Sequence, residues 1–393
     1  MSRSNPTLAR PVPLIEGVSR PVVTPLQPSV VYASDSPDML DAQYEGRAEG
    51  FTYAREGHPN AAQLAQRIAG MEGCAQGLTL GSGMAAVTAV LLGLCRSGDH
   101  VLGSDQLYGR SLRMMNEDLP RLGIATSLAD PTDVASFRAA LRPETRLILV
   151  EVVSNPTLRV ADMAGIAALA KEAGVLLVVD NTFTTPRGYR PFDQGADVVL
   201  HSVTKLMAGH SDVTLGWVAA REAGLQKQIY DFAVTTGLTP SPYDCWLAER
   251  GLLTFDLRFD RAQATAAALA EALAGMAGMR KVLYPTRADH PEVARAAEML
   301  TGGCNMVSFE IEGGRAQANA LVQAAQGVAF APTLGDVGTT LSHPATSSHR
   351  GLTSEGRAAL GITEGFFRVS VGLEDPQALI AEFGRGIAAA RAV

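Results

Sequence analysis

Short apolar runs alternate with helical patterns along most of the chain after residue 60. The apolar runs lack polar alternation, as strands do when helices cover both faces of a sheet. The segments between them repeat apolar residues at helical spacing. This alternation predicts an α/β fold with a mainly parallel sheet and crossover helices. The strands predicted for this sheet are Leu78–Leu80, His100–Leu102, Leu147–Val153, Val175–Val179, Val198–Leu200 and Leu215–Ala219.

Changes in pattern divide the chain into three parts. Residues 1–50 are rich in proline, which opposes regular helix and predicts an extended N-terminal arm. Residues 51–242 hold the predicted sheet and form a large domain. A long helical pattern, Tyr243–Ala274, then begins a smaller C-terminal α/β domain that covers residues 243–393. The later elements predicted there are the strands Val307–Ile311 and Phe367–Val371 and the helix 376–392.

The composition is that of a globular protein that acts on small molecules. The chain is 47% hydrophobic and 19% charged, and its net charge of -7 offers no basic surface for nucleic acid or anionic lipid. No apolar stretch approaches the roughly 18 residues of a membrane span, and the start lacks a signal-peptide pattern, so we expect a cytoplasmic protein. Its cysteines and histidines are dispersed without metal-site spacing, so no metal is expected.

Lysine is rare in this chain, and Lys205 is one of only four lysines against 29 arginines. It lies 25 residues after Asp180, which ends an apolar run. A lysine amine can lose its proton and form a Schiff base with an aldehyde, whereas a guanidinium stays charged. The hydroxyls of Ser202 and Thr204 suit a phosphate, and Asp180 could meet a pyridinium nitrogen. Together these residues predict pyridoxal 5'-phosphate (PLP), although each alone could be a solvated lysine or a turn aspartate.

Other candidate cofactor contacts lie in loops or at the start of a helix. Gly83 and Met84 begin a helical pattern after a short strand, where free N–H groups can bind phosphate. Tyr53 and Arg55 lie in a segment marked by glycine and proline, and a phenol with an arginine fork can clamp a phosphate. Tyr108 follows a predicted strand and could stack on a flat cofactor, or it could be a core tyrosine.

Two further residues suggest contacts with a ligand. Asn155 follows the strand Leu147–Val153 at its carboxyl end, where parallel sheets bind their ligands. Arg368 is a charge inside a strand pattern and needs a partner if it is buried. A substrate carboxylate would supply that partner, and so would an internal salt bridge.

These residues resemble, in order and along nearly the whole chain, the PLP-dependent trans-sulfuration enzymes of cysteine and methionine metabolism. That family includes cystathionine lyases and γ-synthases, methionine γ-lyases and homoserine sulfhydrylases. The resemblance implies the PLP-dependent transferase fold type I and an active dimer, commonly assembled into a homotetramer. The stretches that carry it are Tyr53 with Arg55, Gly83–Met84, Tyr108, Glu151–Pro156, Asp180–Thr182, Ser202–Lys205, Gly209–Asp212, His343–Ala345 and Arg368–Glu374.

By that resemblance, Lys205 is the Schiff-base lysine, Asp180 pairs with the pyridine nitrogen and Tyr108 stacks on the ring. It implies that Tyr53 and Arg55 reach the cofactor phosphate from the neighbouring subunit. The other residues that it assigns to the cofactor are Gly83, Met84, Ser202 and Thr204 at the phosphate, Asn155 near the ring hydroxyl, and Thr182. The residues that it assigns to the substrate are Arg368, which would take the α-carboxylate, and Thr333.

The chain departs from the family pattern where reaction type is set. Arg110 stands where many methionine γ-lyases have cysteine. In a late loop, Thr333 replaces a serine and Gly338 replaces the glutamate typical of lyases and synthases. These departures leave the substrate open.

We expect a carbon–sulfur lyase that acts on cystathionine or a related sulfur amino acid by β- or γ-elimination. Lys205 would take the Cα proton. Two roles stay open for Tyr108, assistance in that transfer and stacking alone. The alternative is a γ-replacement transferase that uses an acylated homoserine, as cystathionine γ-synthases and homoserine sulfhydrylases do. A third hypothesis is a non-catalytic PLP-fold binding protein, against which the intact Lys205, Asp180 and Arg368 argue.

Overall fold

The computed structural model describes Ser19 and residues 21–393. The remaining residues of the predicted N-terminal arm lie outside the described part. The strands are β1 (Leu78–Leu80), β2 (His100–Ser104), β3 (Ala125–Ala129), β4 (Thr145–Glu151), β5 (Leu176–Asp180), β6 (Val198–His201), β7 (Gly216–Ala220), β8 (Met279–Leu283), β9 (Met306–Ile311), β10 (Ala329–Phe330), β11 (Thr340–Ser342) and β12 (Phe366–Ser370).

The helices lie between these strands and at the two ends of the described chain. None of the described helices is both long enough and apolar enough to cross a membrane. The α-helices are α1 (Pro37–Tyr44), α2 (Pro59–Glu72), α3 (Gly83–Leu94), α4 (Gly109–Arg113), α5 (Leu119–Arg121), α6 (Val134–Ala140), α7 (Met163–Ala173), α8 (Thr185–Gly188), α9 (Ala223–Thr236), α10 (Pro242–Leu252), α11 (Phe255–Ala274), α12 (Val293–Met299), α13 (Arg315–Ala324), α14 (Ser354–Ala359) and α15 (Pro376–Arg391).

Seven strands form the large sheet, in the order β1-β7-β6-β5-β4-β2-β3. The strands from β6 to β3 in this order run parallel, while β7 pairs antiparallel with both of its neighbours. One apolar cluster packs on each face of this sheet, which explains why the central strands read as continuous apolar runs. The predicted α/β fold with a mainly parallel sheet is confirmed.

The smaller sheet has five strands, in the order β10-β11-β12-β9-β8. Its pairs are antiparallel except for β10 with β11. Helices α11, α13 and α15 pack with it around a buried cluster that contains Phe309, Phe367 and Phe383. Strand β12 lies in the interior of this sheet, so Arg368 projects from a fixed and buried backbone.

The predicted N-terminal arm is not extended throughout. Helix α1 begins at Pro37, whose missing N–H costs nothing in a first turn, and the Ser36 hydroxyl accepts a hydrogen bond from the Met39 N–H at 3.1 Å. The expectation that prolines exclude helix from this part of the chain was therefore wrong for α1. Thr24, in the described part of the arm, contacts its own chain: its carbonyl accepts a hydrogen bond from the Trp246 indole at 2.9 Å.

Two strands that the sequence did not predict, β3 and β8, lie at the edges of their sheets. Strand β3 is mostly exposed at the sheet edge, so its sequence lacks an apolar run, and the edge strand β8 contains Arg280 and Lys281.

The long pattern predicted from Tyr243 is two helices, α10 and α11, separated by Leu253 and Thr254. The break does not interrupt the apolar spacing, which is why the pattern alone did not reveal it.

Candidate active site

Two carboxyl groups meet at the carboxyl ends of β4 and β5. Glu151 and Asp180 are register partners on these adjacent parallel strands. Glu151 accepts the Tyr108 N–H at 2.5 Å, and Asp180 accepts the Thr182 N–H at 3.0 Å, a turn contact at the strand end. Burial raises the pKa of both carboxyls, and the Asp180 charge raises that of Glu151 further. Neither forms an ion pair with any described residue, so the pair fits a cation supplied by a ligand.

Lys205 lies in the turn that follows β6, and its side chain is half-buried. Burial lowers the pKa of its amine, and the positive charge of Arg368 lowers it further. Both effects favour the neutral amine, which is the nucleophilic form. Gly335 packs directly on this turn with a φ of +84°, and a Cβ at Gly335 would lie only 2.7 Å from the Lys205 carbonyl carbon. Lys205 is therefore not a solvated surface lysine.

The N-terminus of α3 faces the start of the Lys205 turn. The Ser82 hydroxyl accepts the Ala85 N–H at 3.0 Å and so caps the helix. The N–H groups of Gly83 and Met84 belong to the first turn and have no intrahelical acceptors. A Cβ at Gly83 would lie 2.6 Å from the Ser202 Cβ, so only glycine allows this approach. Free helix N–H groups beside a serine hydroxyl fit a phosphate.

The remaining residues predicted near the phosphate have structural partners. The Ser202 N–H donates to the Thr182 hydroxyl at 2.7 Å, which joins the ends of β5 and β6. The Thr204 hydroxyl donates to the Leu215 carbonyl at 3.1 Å and accepts the Leu215 N–H at 2.9 Å. The Thr204 hydroxyl thus bonds to its own turn, and its contact with a phosphate stays a prediction.

Arg368 is only 5% exposed, yet no described carboxylate pairs with it. It donates from Nη1 to the Asn155 side-chain oxygen at 2.7 Å and from Nη2 to the Thr333 carbonyl at 2.6 Å. Its Nε–H is buried without a partner. Burial lowers the pKa of Arg368 to about 10, so the guanidinium stays charged at neutral pH. Arg368 therefore forms no internal salt bridge with any described residue. Its Nε–H remains available to a ligand carboxylate.

Tyr108 is 40% exposed, so the core-tyrosine alternative is wrong. It precedes α4, and its phenol is close enough to Arg368 to raise the pKa of that guanidinium. A Cβ at the next residue, Gly109, would lie 2.5 Å from the Ser348 carbonyl. The loop that contains Ser348 therefore packs against the start of α4, and Tyr108 is held beside Arg368.

Tyr53 and Arg55 are not brought into this group within their own chain. Both are exposed, and the Arg55 guanidinium lies 5.5 Å from the centre of the Tyr53 ring. Arg55 donates to the Val234 carbonyl at 3.2 Å. No hydrogen bond among the described residues joins either of them to Gly83 or Ser202.

Sequence reasoning singled out neither Glu151 nor His349 as a functional residue. Glu151 ends an apolar strand just as Asp180 does on the next strand, so the rule that found Asp180 would have found it too. His349 is buried, and burial together with the Arg368 charge lowers its pKa to about 4. It lies on an irregular loop, where no periodic pattern marks it.

The group as a whole fits PLP. The unpaired carboxyl of Asp180 suits a protonated ring nitrogen, the α3 N-terminus with Ser202 suits the phosphate, and the amine of Lys205 suits the aldehyde. Arg368 remains for a substrate carboxylate. The described residues contain no cluster of side chains suited to a metal ion.

Comparison with known proteins supports the same conclusion. The model of the family described as Cys/Met metabolism PLP-dependent enzyme matches residues 15–388. The chain is 40% identical to a cystathionine beta-lyase of Bacillus subtilis, over 86% of each chain. It is 39% identical to an O-succinylhomoserine sulfhydrylase of Pseudomonas aeruginosa, over 88% of this chain and 86% of the relative.

A solved structure agrees in fold as well as in sequence. The cystathionine gamma synthase of Xanthomonas oryzae pv. oryzae superposes with a TM-score of 0.89 and 38% identity, over 94% of each chain. Because the family match spans nearly the whole chain, the resemblance seen in the sequence is confirmed. The protein belongs to the Cys/Met metabolism family of PLP-dependent enzymes.

Proposed function

We propose that the protein is a carbon–sulfur lyase that acts on cystathionine or a related sulfur amino acid by β- or γ-elimination. The observation that carries the amino-acid chemistry of this proposal is the Nε–H of buried Arg368, which has no partner among the described residues, beside the half-buried Lys205. An α-amino acid bound through its carboxylate at Arg368 presents its Cα to the Lys205 amine. The cystathionine beta-lyase of Bacillus subtilis, 40% identical, supports the same choice.

PLP, when bound, draws electrons from the Cα of an amino acid and so acidifies its Cα proton. Arg368 binds the substrate carboxylate and fixes its orientation. Lys205, whose pKa is lowered by burial and by Arg368, takes the Cα proton as a general base. Asp180 would hold the ring nitrogen of PLP through its negative charge, and Tyr108 would pack on the ring. Loss of the thiol followed by hydrolysis gives ammonia and a 2-oxo acid.

A second candidate is a γ-replacement transferase that joins a thiol to an acylated homoserine. Gly338 favours the sulfhydrylase form of this reaction, because the glutamate typical of lyases and synthases is absent at that position. The O-succinylhomoserine sulfhydrylase of Pseudomonas aeruginosa is nearly as similar in sequence as the lyase. Both candidates use the same Lys205, Asp180 and Arg368.

We further propose that the active unit is a homodimer, assembled into a tetramer, in the cytoplasm. Tyr53 and Arg55 lie on an exposed surface next to a cavity of about 440 Å³ lined by Phe51, Tyr230 and Leu238. The exposed side chain of Val31 adjoins this surface, because Val31 pairs with Tyr53 in an antiparallel bridge. Contiguous exposed apolar surface favours association. All four cysteines are free, which supports a reducing compartment.

Product analysis separates the candidate reactions. The purified protein is incubated with cystathionine, methionine, cysteine and O-acyl-homoserines, with and without a thiol acceptor. We expect a 2-oxo acid without the acceptor: pyruvate with homocysteine indicates β-elimination from cystathionine, and 2-oxobutyrate indicates γ-elimination. A thioether formed only with acceptor would establish the transferase. If none of these substrates is turned over, the hypothesis of a non-catalytic PLP-fold binding protein is favoured.

Replacing Arg368 by lysine tests substrate capture apart from cofactor binding. Lysine keeps the charge but lacks the planar fork that reaches Asn155, Thr333 and a carboxylate together. We expect Arg368→Lys to retain bound PLP but to lose about 2 to 4 kcal/mol of transition-state stabilisation, roughly 30- to 1,000-fold in kcat/KM. The control is Arg138→Lys, at an exposed pair with Glu172. Normal kcat/KM in Arg368→Lys would show that another residue binds the carboxylate.

Mixed dimers test whether Arg55 serves the neighbouring site. A charge-assisted contact to phosphate predicts that Arg55→Ala holds PLP roughly tenfold more weakly. In dimers that combine an Arg55→Ala subunit with a Lys205→Ala subunit, one site carries both defects and the other carries none. Co-expression of the two variants should therefore restore on the order of a quarter of wild-type activity at limiting PLP.

The control for the mixed dimers co-expresses wild type with the double variant Arg55→Ala/Lys205→Ala. If Arg55 serves the neighbouring site, only wild-type homodimers keep intact sites, and this control retains about a quarter of wild-type activity at limiting PLP. If Arg55 acts within its own subunit, the two single variants fail to complement each other. The control then retains about half of wild-type activity, because every wild-type subunit keeps an intact site.

A further inference from the structure

A buried ion pair lies directly behind the proposed cofactor site. The Glu72 carboxylate at the end of α2 and the His201 imidazole at the end of β6 are 0% and 1% exposed, and Glu72 Oε1 lies 2.5 Å from His201 Nε2. The same oxygen accepts the side-chain N–H of Asn181 at 2.9 Å. Glu72 Oε2 is buried without a partner. None of the proposed catalytic steps uses this pair.

The Glu72 carboxylate contacts two residues, Asn181 and His201, that adjoin the site residues in sequence. Asn181 follows Asp180, and His201 precedes Ser202. Asp180 and Leu200 are register partners on β5 and β6, and strand side chains alternate between the faces of a sheet. Asn181 and His201 therefore point away from Asp180, towards α2 and Glu72. One carboxylate oxygen thus joins the ends of both site strands from the face opposite the site.

Further bonds make this connection stiff. Asn181 also donates to the Tyr189 carbonyl at 2.9 Å, and its side-chain oxygen accepts the Thr184 hydroxyl. The His201 ring packs on Trp217 with 5.7 Å between ring centres. On the site face, the Ser202 N–H bonds to Thr182, as described above. The strand ends are held together on both faces, so Asp180 and Ser202 have little freedom to move relative to one another.

Stability alone gives a poor account of the pair. Removing two charges from water costs several kcal/mol per ion, and an apolar pair of similar volume is often as stable. The pair does, however, place the His201 ring close enough to Asp180 that a positive charge on it opposes the rise that burial causes in the pKa of that carboxyl. A positive charge at this place keeps the carboxylate ionised for a cationic partner on the other side.

We propose that Glu72 and His201 are positioning residues of the cofactor site, which fix the ends of β5 and β6 and hold a positive charge behind Asp180. The inference rests on the proposed function, because it assigns Asp180 and Ser202 to PLP. The proposal predicts that cofactor binding depends on the charges of Glu72 and His201 as well as on the hydrogen bond between them.

The test compares three variants of the holoenzyme: Glu72→Gln, His201→Gln and the double variant Glu72→Gln/His201→Gln. The double variant lets two amides hydrogen-bond where the ion pair was, so it keeps a bond while it removes both charges. The matched control is His100→Gln, which breaks a buried histidine bond of 2.8 Å to Thr145 at the opposite ends of the strands. The readouts are Tm, PLP retention in equilibrium dialysis, and visible circular dichroism of the bound cofactor.

We expect each single variant to hold PLP roughly tenfold more weakly and to lose much of the visible circular dichroism, since a bond to a charged group is lost at the strand ends. The double variant should recover a Tm near that of His100→Gln without recovering either cofactor property. His100→Gln should lower Tm and leave PLP retention and the visible circular dichroism unchanged.

Two results would overturn the inference. In one, the double variant matches His100→Gln in PLP retention and circular dichroism, which would show that the charge is dispensable. In the other, the double variant does not fold, which would make the pair a folding element. Failure of the proposed function is distinguishable, because it would appear as absent lyase turnover in the wild-type protein, whereas this test reads PLP retention, circular dichroism and Tm.

Discussion

Four ionisable side chains are withdrawn from water at one edge of the large sheet without forming an ion pair among themselves. Glu151 and Asp180 are acids whose pKa is raised by burial, and Lys205 and Arg368 are bases whose pKa is lowered by burial. A protein stabilises such groups poorly unless something supplies the missing partners. A zwitterionic cofactor and an amino acid carboxylate supply them, so the unfavourable burial becomes favourable once the ligands bind.

The position of these groups follows from the topology. Parallel strands end at the same edge of a sheet, so the residues that close β4, β5 and β6 are necessarily neighbours. The smaller sheet reaches this edge through direct contacts: the Ser308 hydroxyl donates to the Pro156 carbonyl at 2.6 Å, and Val337 N–H donates to the Gly209 carbonyl at 2.9 Å. Arg368 is therefore fixed relative to Lys205, although 163 residues of sequence separate them.

Much of this arrangement could be predicted from the sequence because it depends on local patterns. Unbroken apolar runs revealed the central strands, and the residue after such a run, Asp180, lies at the sheet edge where a ligand binds. Lys205 was recognisable because lysine is so rare in the chain. Strand patterns marked Arg368 and Tyr108 as candidates, and the family resemblance gave them roles. The structure then decided between the open alternatives: Arg368 has no salt bridge with any described residue, and Tyr108 is not a core residue.

What the sequence could not reveal depends on distant contacts or on edges. Strand β3 is exposed and lacks an apolar run. The Thr204 hydroxyl is committed to Leu215, eleven residues away, and the partner of His201 lies 129 residues away at the end of α2. His349 comes near Arg368 only because a loop folds back over α4. None of these has a periodic or compositional signature.

The most direct test of the account is to treat the purified protein with borohydride and to map the peptide that retains the cofactor. The account predicts a yellow protein whose visible band is bleached, with the reduced adduct on Lys205 and on no other lysine. An adduct on Lys171, Lys227 or Lys281 would contradict it, and so would a colourless protein that takes up no PLP.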